Sequence, residues 1–266
     1  MKDLIPKTQI EFKNAQSIVV SGDIHGDFTQ LVFKCCIQYE MTDTLIIVAG
    51  DCGFGFERPG HYENIYRRCS SRLSKSNNWI VFVRGNHDNP AYFNIAPIKH
   101  PRWMTVPDCT ILKACGHTIL CVGGAISIDR TYRKNSKYYH EYQPDSMEPN
   151  VYWINEPPKY DHEYLEIIDK QCAIDIVITH TAPSFCERTS HIGLSNWVER
   201  DETLLDDVKQ ERTVMDNLLG YLYSRNHPLS YWYYGHFHQS WFSEINGVKF
   251  NLLDCMELRE IPPIEY

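Results

Sequence analysis

No stretch of these 266 residues is long and apolar enough to span a bilayer, which takes about 20 consecutive apolar residues. No apolar segment follows Met1-Lys2-Asp3-Leu4-Ile5-Pro6, so no secretory leader is expected and the expected location is the cytoplasm. A basic surplus is also missing. Lys and Arg number 26 against 34 Asp and Glu, a formal charge of −8 at pH 7, which argues against general binding to duplex nucleic acid. Ten cysteines are present, but no two stand as Cys-x-x-Cys, and the one adjacent pair is Cys35-Cys36. That spacing excludes zinc fingers and dithiol redox motifs. A chain of this size needs no disulfide staples, so reduced and mostly buried thiols are expected. Internal repeats and low-complexity tracts are absent, which removes solenoids and disordered arrays.

What the chain does hold is a series of short apolar runs, several of them continuous in Val, Ile and Leu. They cover residues 17–21, 45–49, 79–83, 110–113, 118–122, 174–179 and 231–234. Continuous β-branched runs of this length read as strands covered on both faces. Helical spacing of apolar residues appears at 28–39, 62–74, 163–171 and 201–225. Alternating strand and helix predicts an α/β fold. Near the end, residues 241–245 and 248–253 flank Asn246-Gly247, the signature of a two-residue hairpin turn. A mixed sheet or two stacked sheets would hold both parts. The expected organisation is one domain over residues 1–266, with an irregular excursion at about 129–160 that is too long for an ordinary connection.

Five of the apolar runs end on a polar motif: Gly22-Asp23-Ile24-His25-Gly26, Gly50-Asp51, Gly85-Asn86-His87-Asp88, Thr179-His180 and Gly235-His236-Phe237-His238. Taken singly, each has an ordinary explanation. Asp51 reads as a helix cap or turn residue, Asn86 to Pro90 as a polar turn, and a lone histidine as a packing residue. Five strand ends carrying compatible metal donors are hard to explain that way, because sites in open α/β sheets form beyond the carboxyl ends of strands. Asp23 and His25 are two residues apart, which in an extended segment puts both side chains on one face, and His236 and His238 repeat the spacing. His61, His100, His117, His140, His162, His191 and His227 lack this setting and are assigned to surface or packing roles, with His140 and His191 the first exceptions to check.

In their order and spacing these motifs resemble the calcineurin-like metallophosphoesterase superfamily, over residues from about 17 to 254. The resemblance implies a four-layer α/β/β/α sandwich with two mixed sheets. It also implies a two-metal site in which Asp23, His25 and His238 hold one ion, Asn86, His180 and His236 hold the other, and Asp51 bridges both. His87 would stand beside the substrate without binding metal. Two divalent ions about 3.5–4 Å apart can clamp a phosphoryl group and generate a bridging hydroxide that attacks phosphorus in line. Mixed nitrogen and oxygen donors suit manganese, the first expectation, or iron, zinc, cobalt or nickel. Asp51 and His87 are the expected catalytic groups, His87 as general acid or charge stabiliser. Asp27 and Asp88 are open between orienting a histidine and facing solvent in turns.

Substrate contacts are less well marked. Arg84, directly before Gly85-Asn86-His87, and Arg130 and Arg133 in the excursion are the expected phosphate-binding residues. Tyr138, Tyr139, Tyr142, Tyr152 and Trp153 would form either an aromatic wall for a ring-bearing substrate or a small core under the loop. Arg-Gly-Asn-His also resembles the phosphoprotein-phosphatase branch. That branch, however, places an Asp-Arg pair three and four residues after the metal-binding Asp, where this chain has Phe54 and Gly55. The leading reading is therefore a metal-dependent phosphoesterase for a small phosphorylated or nucleotide-like substrate, hydrolysing a monoester or a diester. The alternatives are a Ser/Thr phosphoprotein phosphatase and a non-catalytic scaffold that retains the fold.

Overall fold

The computed structural model describes residues 9–141, 146–186 and 194–264, so Tyr142 and His191 lie outside the described residues. In chain order the strands are β1 (Gln9–Glu11), β2 (Ser17–Ser21), β3 (Thr44–Ala49), β4 (Trp79–Val83), β5 (Lys99–His100), β6 (Trp103–Thr105), β7 (Thr110–Ala114), β8 (His117–Val122), β9 (Ile176–Thr179), β10 (Tyr231–Tyr234), β11 (Trp241–Ile245), β12 (Val248–Leu252) and β13 (Leu258–Glu260). They form a seven-stranded sheet in the order β1-β7-β8-β9-β10-β12-β11 and a six-stranded sheet in the order β13-β2-β3-β4-β6-β5. Both sheets are mixed. Strands β2, β3, β4 and β6 run parallel, as do β8, β9, β10 and β12, while antiparallel strands close both edges of the smaller sheet.

The side-chain period of two sorts these strands into layers. In β3, Leu45, Ile47 and Ala49 face a core shared with Ile176 and Ile178 of β9, while Ile46 and Val48 face the opposite side. In β10, Tyr233 joins the shared core, and Trp232 and Tyr234 point outward. Both faces of each sheet are thus apolar, which is why these runs are continuous rather than alternating. Each fully buried Val, Ile or Leu stabilises the fold by about 1.5–3 kcal/mol.

The outer face of the smaller sheet is covered by α1 (Phe28–Phe33) and α2 (Pro59–Lys75), through Leu31, Val32, Tyr62, Ile65 and Leu73. Helix α2 starts three residues before the apolar spacing does, because Pro59 at the first helical position has no N–H to leave unsatisfied. The turn after α1, residues 34–38, winds as a π-helix rather than continuing the expected α-helix to residue 39. Short helices α3 (Ala91–Asn94) and α4 (Arg130–Lys134) follow. The outer face of the larger sheet is covered by α5 (His162–Asp169) and α7 (Leu204–Ser224), with α6 (Leu194–Val198) between them in sequence. The order of layers is therefore α/β/β/α, as the resemblance implied.

The hairpin at Asn246-Gly247 forms as expected, with φ of 51° and 80° at the two turn residues, the positive values a type I′ turn requires. No helix among the described residues is long and apolar enough to cross a membrane.

Candidate metal centre

Parallel strands from both sheets deliver the five motifs to one edge of the sandwich. Asp23 and His25 follow β2, Asp51 follows β3, Asn86 and His87 follow β4, His180 follows β9, and His236 and His238 follow β10. The two sheets meet here directly: His180 Nδ1–H donates to the carbonyl of Ala49 at 2.7 Å. The chain turns abruptly at the site. His25, Asp51, His236 and His238 all lie in the left-handed region, with φ of 44°, 45°, 72° and 47°. Such conformations cost about 1–3 kcal/mol each for non-glycine residues and gather at functional sites. They also correct the extended-segment expectation for Asp23/His25 and His236/His238. A left-handed turn, not the strand period, directs each pair: Asp23 and His25 enter one donor group, and His236 and His238 enter two different ones. Gly85 has a steric reason: a Cβ there would fall 2.0 Å from Asp51 N and 2.1 Å from its Oδ1.

The donor atoms form two groups that share one carboxylate. Asp23, His25, Asp51 and His238 supply one set of atoms within 4.8 Å of one another, and Asp51, His180 and His236 supply a second. Asn86 joins the second through its Oδ1, 3.0 Å from His180 Nε2. In the first, His25 Nε2 and His238 Nε2 are 3.0 Å apart, and Asp23 Oδ2 lies 3.1 Å from His238 Nε2 and 3.7 Å from His25 Nε2. That carboxylate oxygen is buried yet has no hydrogen bond of ordinary geometry. A buried carboxylate oxygen converging with imidazole nitrogens fits a divalent cation by both charge and donor chemistry. All seven expected metal-binding side chains are in the cluster.

The carboxylates and imidazoles are packed closely enough to shift one another's proton affinities strongly. The Asp51 carboxyl is held well below its usual range: burial opposes this, but the neighbouring His87 and His180 outweigh it. For His180, burial works against the charged imidazole, and Asp51 and Asp23 overcome it, raising the group to about 9. His238 is raised to about 10, first by Asp23 and then by Cys255.

A hydrogen-bonded chain behind the donors sets their orientation. Asn86 Nδ2 donates to Ser127 Oγ at 2.9 Å, which turns Oδ1 toward His180. Ser127 Oγ–H in turn donates to Glu156 Oε2 at 2.7 Å, and Ser127 N–H to Glu156 Oε1 at 2.7 Å. Asp88 ties the second and third motifs together by accepting from the backbone N–H groups of Cys52, Gly53, Phe54 and Gly85 at 2.8–3.0 Å. It therefore orients backbone rather than a histidine, while Asp27 is exposed. Glu211, buried on α7, accepts from Ile126 N and Thr181 Oγ1 and so fixes the loops carrying Ser127 and His180.

Burial raises the Glu156 carboxyl to about 8, against the lowering effect of the Ser127 hydrogen bonds. A folded-state value above the unfolded one favours the fold fully at pH below about 4.3, and that contribution is lost as pH rises through about 8. Glu156→Gln keeps the shape without the charge. Its melting temperature is expected to match the parent near pH 4 and to exceed it near pH 8.5, as measured by thermal unfolding across that range.

His87 stands beside the cluster. Its backbone N–H donates to Asp51 Oδ1 at 2.8 Å, its Nδ1 lies 3.3 Å from Asp51 Oδ2, and Arg133 Nη2 donates to its Nε2 at 2.8 Å. These groups open into a cleft of about 490 Å³, also lined by Ser127, Trp197, Phe237 and Gln239.

Two of the three expected phosphate-binding arginines are corrected. Arg84 is buried, with its guanidinium committed to the Glu156 carbonyl at 2.6 Å, Asp108 at 3.0 Å and the Gly123 carbonyl at 3.2 Å. Arg130 is consumed by Asp201, Asp207 and Thr203 at 2.6–3.0 Å. Neither lines the cleft; only Arg133 does. Tyr152 and Trp153 are buried, Trp153 edge-on to Phe56 at 5.3 Å, and hold the excursion down, whereas Tyr138 is exposed; none of the three lines the cleft. His140 is exposed and outside the cleft, whereas His117 and His227 pack as expected, on Asp175 and on the Ile174 N–H.

Sequence reading missed Ser127, Glu156, Trp197 and Cys255. Ser127 lies in the Gly123-Gly124-Ala125-Ile126-Ser127 turn, where two glycines after a strand were the available signal. The other three carry none.

The family profile described as calcineurin-like phosphoesterase matches residues 17–240, and the chain belongs to that family. It is thus a metal-dependent phosphoric ester hydrolase. No curated protein matches the sequence. Among solved structures, TT1561 of Thermus thermophilus is similar, with a TM-score of 0.50 and 14% identity over 92% of this chain and 98% of that one. A phosphopantetheinyl hydrolase from Mycobacterium tuberculosis aligns with a TM-score of 0.45 and 14% identity over 98% of both chains.

Proposed function

We propose that the protein hydrolyses a small phosphorylated or nucleotide-like ester using two divalent ions. Asp23, His25 and His238 hold one ion, Asn86, His180 and His236 the other, and Asp51 holds both. The observation that carries this reading is the membership of Asp51 in both donor groups. When bound, the ions supply Lewis-acid polarisation of the phosphoryl group and an activated nucleophile near neutral pH.

The chain's own residues hold and orient these parts. His180 donates from Nδ1 to the Ala49 carbonyl, which leaves the Nε2 lone pair for a metal. The Asn86–Ser127–Glu156 chain fixes an amide oxygen, not a nitrogen, toward the same point. Because Arg133 donates to His87 Nε2, the imidazole proton belongs on Nδ1, facing Asp51. In this arrangement His87 positions the Asp51 carboxylate through Nδ1–H and the Arg133 guanidinium through Nε2, and it is the guanidinium that stabilises charge on a phosphate oxygen. Arg133 comes from the excursion and supplies the cation beside His87 that Phe54 and Gly55 cannot.

The cleft has a volume in the range of small-molecule sites, roughly 300–1,000 Å³, and Trp197 and Phe237 give it ring faces for a base or other planar group. The chain's net negative charge disfavours a long polyanionic substrate. A phosphoprotein substrate is disfavoured by Phe54, which is packed among Phe28, Tyr62 and Phe82 at ring-centroid distances of 4.9–5.2 Å and cannot serve the cleft. A scaffold role is disfavoured by the intact donor set. Manganese is the first ion to test, followed by iron, zinc, cobalt and nickel.

Removing Arg133 deletes one hydrogen bond to a charged group, worth about 1.5–3 kcal/mol. Arg133→Ala is therefore expected to lower kcat/KM by about tenfold to a hundredfold, with metal content unchanged. Arg133→Lys should recover only part of the loss, as a point charge lacks the planar fork. The reading as a whole is tested by a metal-supplemented hydrolysis panel of an activated phosphomonoester, an activated phosphodiester, cyclic nucleotides, dinucleoside polyphosphates and a phosphopeptide. Metal-stimulated hydrolysis of a small ester above the phosphopeptide is expected. No turnover of any member with any of the five metals would overturn it.

A further inference from the structure

Cys255 lies in the turn between β12 and β13, outside every metal motif. Its Sγ nevertheless forms a cluster with one ring nitrogen each of His25 and His238 in which all ligand atoms lie within 4.8 Å of one another. The same two imidazoles face the buried Oδ2 of Asp23, whose near neighbours include His238 Nε2 at 3.1 Å and His25 Nε2 at 3.7 Å. Two features thus meet at the same pair of imidazoles: a buried carboxylate oxygen whose near neighbours include them, and a thiol among their ring nitrogens.

The turn that carries Cys255 is clamped to the metal motifs on both sides. Met256 N–H donates to the Asp23 carbonyl at 2.9 Å, and Gly22 N–H to the Glu257 carbonyl at 3.0 Å. Glu257 accepts from Asp254 N–H at 2.9 Å and from Ser240 Oγ, two residues after His238. Gly22 permits the approach, because a Cβ there would meet the Asp254 carbonyl at 2.2 Å. Met256 takes a left-handed φ of 56°, and its carbonyl accepts from Lys34 Nζ at 2.5 Å. A turn held only as a structural clasp would be satisfied by these backbone and Glu257 contacts with any residue at position 255. The exposed side chain there is instead one that can ligate metal, facing the site.

We propose that Cys255 is an additional ligand, as thiolate, to the ion held by Asp23, His25 and His238. The assignment rests on the two-metal reading above and adds to it a choice of metal. On coordination the S–H proton passes to solvent and the sulfur lone pair enters the metal shell. A shell of one thiolate, two imidazoles and carboxylate oxygen favours zinc, iron or cobalt over manganese at that position. The two positions of the centre would then differ: one soft enough for sulfur, the other, with Asn86, His180, His236 and Asp51, built from nitrogen and oxygen alone.

The test is a cobalt(II) titration of the full chain, followed by optical absorption, in the parent, Cys255→Ser and Cys255→Ala. The parent is expected to show visible d–d bands together with a thiolate-to-cobalt charge-transfer band in the near ultraviolet. Both variants should keep the d–d bands and lose the charge-transfer band, and zinc should bind one of the two positions at least about tenfold more weakly. A charge-transfer band that persists in the variants, or d–d bands without one in the parent, overturns the Cys255 assignment and leaves the metal centre standing. Absence of d–d bands from the parent overturns the metal centre itself, and Cys255 with it.

Discussion

Asp51→Asn is expected to abolish hydrolysis while leaving the protein folded. Asp51 is the one side chain common to both donor groups, so replacing a carboxylate oxygen by an amide removes a bridging charge from both positions at once. Metal-derived stabilisation of a phosphoryl transition state is worth several kcal/mol, and each ~1.4 kcal/mol is tenfold in rate, so kcat/KM should fall by about a thousandfold or more. The fold has less reason to change. The Asn oxygen can still accept the His87 N–H now taken by Asp51 Oδ1, and the backbone carbonyl still accepts from His25 and Ile24. The melting temperature should shift by a few degrees at most. Parent-like turnover in this variant would remove the two-metal reading.

His87→Ala should produce the second largest loss, with a different signature. His87 touches Asp51 and Arg133 and lines the cleft, but the two donor groups are complete without it. Its removal frees both the Asp51 carboxylate and the Arg133 guanidinium from their set positions, and losing a preorganised charge-stabilising donor costs about 10²–10³ in kcat. Metal content should stay near that of the parent. An equal loss of turnover and of bound metal would place His87 among the ligands instead. Combining His87→Ala with Arg133→Ala should cost less than the sum of the two single changes, since the pair acts as a unit through one hydrogen bond.

The parts legible in the sequence share a physical cause. β2, β3 and β4 are buried on both faces, so their continuous β-branched runs mark them, and the polar residues directly after them stand out by contrast. The strands that went unread, β1, β5, β6 and β13, are two or three residues long and lie at or near sheet edges, too short to show a period. The same division holds at the site. Residues that follow a strand end could be read from local pattern. Arg84 has the same local setting but was misassigned, because its acceptors, Glu156, Asp108 and Gly123, come from segments that only the fold brings together. Cys255 and Glu156 were invisible for the same reason. Each reaches the site only through the fold, Glu156 by way of Ser127 and Cys255 beside His25 and His238, and nothing next to it in the chain signals that position. The left-handed turns at His25, Asp51, His236 and His238 were foreshadowed only by the flanking glycines.

The central claim is that one carboxylate joins two metal positions, and metal analysis of the purified chain after loading and removal of excess ion addresses it directly. The account predicts a stoichiometry approaching two ions per chain in the parent and a clear fall from that value in Asp51→Asn. A value near zero in the parent, with no metal-stimulated hydrolysis, or two ions retained in Asp51→Asn, would contradict it.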